Sequence, residues 1–97
     1  MNKVVINNCY GGFSLSPTAV ARLGEAGLKA SEYHPGCERH DPLLIKIVEE
    51  LGELAAGQFS ELIIEEITED RYIIREYDGL ESITTPSMIR WTKVGGE

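Results

Sequence analysis

Cysteine is scarce. Cys9 and Cys37 are the chain's two cysteines, too few for a disulfide scaffold, and a reduced protein in the cytoplasm of a host cell is the expectation. Basic residues are also few. Nine Lys and Arg stand against sixteen Asp and Glu, for a formal charge of -7. That balance argues against a general grip on long nucleic acid, where affinity comes from neutralising phosphates, but not against a small anion held by one or two local cations. No apolar run is long enough for a membrane span or a targeting core, Val4-Val5-Ile6 at the start being far too short. No repeat, low-complexity tract or linker divides the 97 residues, so 1-97 reads as a single domain. Missing too is any complete catalytic set. The glycine spacing fits neither a dinucleotide fingerprint nor a Walker loop, and no nucleophile stands at a recognisable distance from a base. A non-enzymatic protein with no cofactor is expected.

What is present is a clear order of elements. Val4-Val5-Ile6 is a β-branched run that does not alternate, which predicts a short strand buried on both faces and central or near-central in its sheet. Ser16-Pro17 is a helix start, with Ala19, Val20 and Leu23 on one face and Gly27 as the stop after about Ala26. Lys29 to His40 lacks either period and reads as a loop. Asp41-Pro42 repeats the start signal for a helix over about 42-55, with Leu44, Ile45, Val48, Leu51 and Ala55 on its apolar face. Leu62-Ile67 and Tyr72-Tyr77 read as strands paired through Thr68-Glu69-Asp70-Arg71, and Asp78-Gly79 turns the chain into a third strand, Leu80-Thr84. Thr85-Pro86 then leads into one helical turn or a terminal strand ending at Trp91. The order β-α-α-β-β-β predicts an α+β fold, a small mostly antiparallel sheet covered on one face by two helices.

Binding chemistry concentrates between the first strand and the first helix. Asn8, Tyr10, Gly11, Gly12, Phe13 and Ser14 combine two glycines, which allow close backbone approach, with flat aromatic surface and helix-start amides that favour a phosphate or carboxylate. The same residues read equally as a tight strand-to-helix connection whose aromatics pack on the core. Arg39 and His40 could add a guanidinium and an imidazole hydrogen bond to an anion, while Asp41 beside them reads as a helix cap. Arg90 and Trp91 offer a second stacking surface, or a core plug. His34, Cys37 and His40 have a spacing that evokes zinc, with Cys9 as a fourth ligand, but the usual second pair is missing, and no metal is expected.

The segments Tyr10-Gly11-Gly12-Phe13-Ser14-Leu15-Ser16, Arg39-His40-Asp41-Pro42, Val48-Glu49-Glu50-Leu51-Gly52 and Glu76-Tyr77-Asp78-Gly79-Leu80-Glu81-Ser82, with Trp91, resemble a group of small bacteriophage and prophage proteins. The likeness lapses over Lys29 to Glu38 and Thr84 to Arg90. It implies a viral accessory protein. By analogy with phage proteins that act as sponges for defence nucleotides, the expected partner is a small anionic ligand such as a cyclic nucleotide, bound by a homo-oligomer. A protein-interaction module that inhibits a host protein is the alternative, and a small hydrolase the weaker one.

Overall fold

The computed structural model describes residues 2-88, and Arg90 and Trp91 lie outside them. The elements are β1 (Asn2-Asn7), α1 (Pro17-Glu25), α2 (Pro42-Leu51), a 3-10 turn at Gly52-Ala55, β2 (Leu62-Ile67), β3 (Ile73-Tyr77), β4 (Leu80-Thr84) and a 3-10 turn at Pro86-Met88. This is the α+β order β-α-α-β-β-β read from the sequence.

Local chemistry sets the helix ends. The Ser16 hydroxyl accepts from the Ala19 amide at 3.1 Å, and the Asp41 carboxylate accepts from the Leu43 amide at 2.8 Å. Each cap is followed by proline in the first turn, where an amide donor would have no partner within the helix. At the far end of α1 the Leu28 amide donates to Leu23 and the Gly27 amide to Gly24, the paired bonds of a Schellman motif.

Strand β1 organises the core, because its side chains alternate between two apolar clusters. Val5 faces Leu15, Ala19, Leu23, Leu44, Ile47, Val48 and Ala55, which come largely from the helices. Val4 and Ile6 face Ile67 and Ile83, with Ile63, Tyr72 and Ile74 packed around them. The non-alternating run Val4-Val5-Ile6 is therefore buried on both sides, as its sequence requires.

Strand pairing differs from the expected hairpin in one respect. β2 pairs antiparallel with β1, placing Ile64 opposite Val5 and Ile63 opposite Ile6, and β3 pairs with β4. No β2-β3 ladder forms among the described residues. Side-chain chemistry accounts for this, since β1 offers the isoleucines of β2 apolar partners, whereas β3 would set Arg75 and Glu76 in its centre. The two-residue Asp78-Gly79 turn, with φ of 52° and 93°, gives β3 a nearer partner in β4.

The edge of β1 that β2 leaves open is closed without a strand. The Val5 amide donates to the Arg39 carbonyl at 2.9 Å, the Val5 carbonyl accepts from the Arg39 guanidinium at 3.2 Å, and the Asn7 amide donates to the Glu81 carboxylate at 2.8 Å. One side-chain pair thus joins β1 to β4.

Candidate functional site

The glycine turn is built into this junction. Arg39 forms a two-pronged pair with Glu81, Nη1 to Oε1 at 2.7 Å and Nη2 to Oε2 at 2.8 Å. Its guanidinium carbon also lies 3.6 Å from the centre of the Phe13 ring. Phe13 thus serves as a platform for a cation that is already neutralised. Asn7 is completely buried and fully used: its amide nitrogen donates to the carbonyls of Cys9 and Gly79, and its oxygen accepts from the Glu61 amide and the Ser60 hydroxyl. Among the described residues every buried side-chain nitrogen and oxygen has a hydrogen-bond partner.

Two glycines are required here by close approach. A Cβ on Gly11 would land on the Phe59 carbonyl oxygen, and one on Gly79 would come within 2.7 Å of the Gly12 amide nitrogen. Three of the amides at the start of α1 are engaged as well. Ser16 donates to the Ala55 carbonyl and Val20 to the Ser16 carbonyl, while Ala19 is held by the cap. Ser14 is buried and its carbonyl accepts from the Gly57 amide. Asn8 is exposed and bonds to Glu61 through backbone and side chain. Tyr10 is exposed, and Gly12 takes a φ of 86° with open space beside it.

A concavity among the described residues lies elsewhere. A cleft of about 380 Å³ opens between the start of β1, the start of α2 and the connection from β2 to β3. That is within the roughly 300-1,000 Å³ of small-molecule sites. Its apolar part comes from Val4, Pro42, Ile45 and Ile67, and its polar part from Lys3, His40, Lys46, Glu49, Glu69, Asp70 and Tyr72.

His40 Nδ1 and the Tyr72 hydroxyl are 2.6 Å apart, with the rings edge to face. Burial, then the nearby charge of Glu38, raises the Tyr72 phenol above its ordinary range against an opposing pull from Arg39. A neutral phenol can donate to Nδ1 of a neutral imidazole, which leaves the ring proton on Nε2.

Two of the carboxylates are engaged. Glu49 accepts from Lys3 at 2.8 Å, and that hydrogen bond and charge raise the lysine's pKa. Glu69 accepts from the Ser87 hydroxyl and amide, bonds that, with Thr85, hold its carboxyl below the ordinary range. Lys46 and Asp70 make no ion pair among the described residues.

Of the residues picked from the sequence, His40 lines the cleft, whereas Asn8, Tyr10, Gly11, Gly12, Phe13, Ser14 and Arg39 do not. Arg39 and His40 are neighbours with separate fates. Nothing local marks Lys3 near a strand start, Lys46 within a helix or Tyr72 before a strand as cleft-lining. Asn7 and Glu81 carried a faint signal, a polar residue ending an apolar run and a carboxylate inside a strand, each needing a partner if buried. No three His, Cys, Asp or Glu side chains converge as metal ligands among the described residues, and no described helix is long and apolar enough to cross a membrane. No family model, curated protein or solved structure matches the chain.

Proposed function

We propose that this protein binds and holds a small anionic molecule in the cleft beside His40 and Tyr72, and that a nucleotide-derived signal is the ligand class, sequestered without being transformed. The observation that carries this reading is the cleft's mixed lining. An apolar floor from Val4, Ile45 and Ile67 suits a base, Lys46 and the His40 imidazole suit a phosphate, and Asp70 can accept from an exocyclic amino group. A nucleotide presents all three kinds of group on one small body, which accounts for acidic and basic residues lining one site.

The lining groups favour binding over attack. Tyr72 holds its proton more tightly than an ordinary phenol, and its hydroxyl is joined to His40. Sequestration as the role is taken by analogy with phage proteins that act as sponges for defence nucleotides.

A thermal-shift series with cyclic and linear nucleotides tests the reading, since a ligand that binds only the folded state raises the melting temperature. Lys46→Ala is expected to weaken binding by about 1.5-3 kcal/mol, the range of a hydrogen bond to a charged group, with an unchanged melting temperature for the free protein. Nucleotide recovered intact from the complex supports sequestration, and recovery of a cleaved product favours the hydrolase.

A further inference from the structure

The contacts that tie down the glycine turn leave an outward face. Gly11 abuts the Phe59 backbone and Gly79 abuts the backbone of Tyr10 and Gly12, so three loops meet at one place. Each carries an exposed aromatic residue at or beside that meeting point: Tyr10 is 64% exposed, Phe59 68% and Tyr77 76%. Asn7 ties neighbouring residues of all three loops together, its side-chain amide donating to the Cys9 and Gly79 carbonyls and its oxygen accepting from the Glu61 amide and the Ser60 hydroxyl. Aromatic side chains on anchored backbone lose little further freedom when a partner binds.

We propose that Tyr10, Phe59 and Tyr77 form a docking surface for an arginine-bearing segment of a protein partner. Charge decides the occupant. Asp78 follows Tyr77 directly and Glu61 follows Ser60 on the neighbouring loop, both exposed, in a chain of formal charge -7. A second copy docked face to face would bring these carboxylates against their own images, and a nucleic acid would meet the same repulsion. A guanidinium instead meets carboxylates at the rim and aromatic faces within, where a flat cation is attracted both by charge and by the ring electrons. The Phe13-Arg39-Glu81 contact inside the protein is the same chemistry satisfied within one chain.

The test uses a fluorescein-labelled nonapeptide of alternating arginine and glycine, its lysine and glutamate counterparts, and fluorescence anisotropy on the whole chain. The arginine peptide should bind saturably and more tightly than the lysine peptide. Tyr77→Ser and Phe59→Ser should each weaken it about three- to tenfold, while Leu54→Ser, at an equally exposed apolar residue on another loop, should not change it. Because the removed side chains are exposed, both patch variants should melt like the parent, and Tyr10→Ser provides a third substitution if one does not. Equal binding by the parent and all variants would reduce the attraction to diffuse charge and overturn the proposal. So would preference for the glutamate peptide, or sedimentation showing a dimer that the patch substitutions dissociate.

Discussion

Arg39 and His40 are adjacent in the chain, yet they belong to two regions with opposite economies of polar groups. On the turn side, the Arg39 guanidinium has carboxylate, carbonyl and aromatic partners, and the side chains of the pair are 20% and 9% exposed. On the cleft side, His40 is exposed and has one partner, Tyr72, and Lys46 has no ion pair among the described residues. Types of residue that suggest an anion site in a sequence are thus committed to the fold in one region and open to solvent in the other. Substitutions on the turn side should be read in stability, and those on the cleft side in binding.

The most severe way to test that division is to remove the carboxylate of the pair. Glu81→Ala leaves the guanidinium short of its counter-charge and the Asn7 amide without its acceptor, and it should cost about 3-5 kcal/mol of stability. Lys46→Ala, on the cleft side, should stay within about 0.5 kcal/mol of the parent. Urea denaturation of both measures the contrast. A Glu81→Ala protein as stable as the parent would mean that the turn side is held together by apolar packing alone.

The next test divides the turn internally. Gly11→Ala pushes a methyl group against the Phe59 carbonyl, an overpacking that should cost about 1-3 kcal/mol or more because backbone has to move. Gly12→Ala meets nothing within 4 Å and should cost only the strain of a positive φ, about 1-2 kcal/mol. Equal losses would show that conformation rather than close approach makes this turn glycine-rich. Ligand binding by the folded protein should be unchanged in both variants, since neither glycine lines the cleft.

Much of the fold was legible because its signals are local. Ser16-Pro17, Asp41-Pro42 and Asp78-Gly79 state their geometry within a few residues, and the two helices and the β3-β4 hairpin follow from them. The β1-β2 pairing was not legible, since β3 lies far nearer to β2 in sequence than β1 does, and only the apolar character of β1 decides between them. Glu81 gave only a faint signal for a similar reason. A carboxylate in a strand reads as solvated until its partner, 42 positions away in sequence, is known. The motif Tyr10-Gly11-Gly12-Phe13 shows the limit most plainly: one aromatic lies beneath Arg39 and the other stands in solvent, and no local feature separates them.

A smaller effect is expected at the border between the regions, where Asp41 follows His40 and caps α2. Asp41→Ala should lower stability by about 0.5-2 kcal/mol through loss of the bond to the Leu43 amide, with nucleotide binding unchanged within a few fold. Loss of binding with unchanged melting would move Asp41 from the fold to the cleft and blur the division.

The smallest expected effect is the pH dependence of the His40-Tyr72 pair. Burial raises the Tyr72 phenol above its ordinary value. A group that holds its proton more tightly when folded contributes stability that is complete below its unfolded pKa, about 10 for tyrosine, and is lost as pH rises through the folded pKa. Tyr72→Phe should therefore differ from the parent by a constant offset between about pH 8 and 9, of about 0.5-1.5 kcal/mol for one lost hydrogen bond. Above about pH 10 the parent alone should lose the phenol's share. Urea denaturation of both proteins across that range measures the difference directly. Divergence within that window would mean that the Tyr72 phenol gives up its proton well below the pH at which an ordinary tyrosine does. The cleft would then be tied to the fold as closely as the turn is, and binding there would have to be read together with stability.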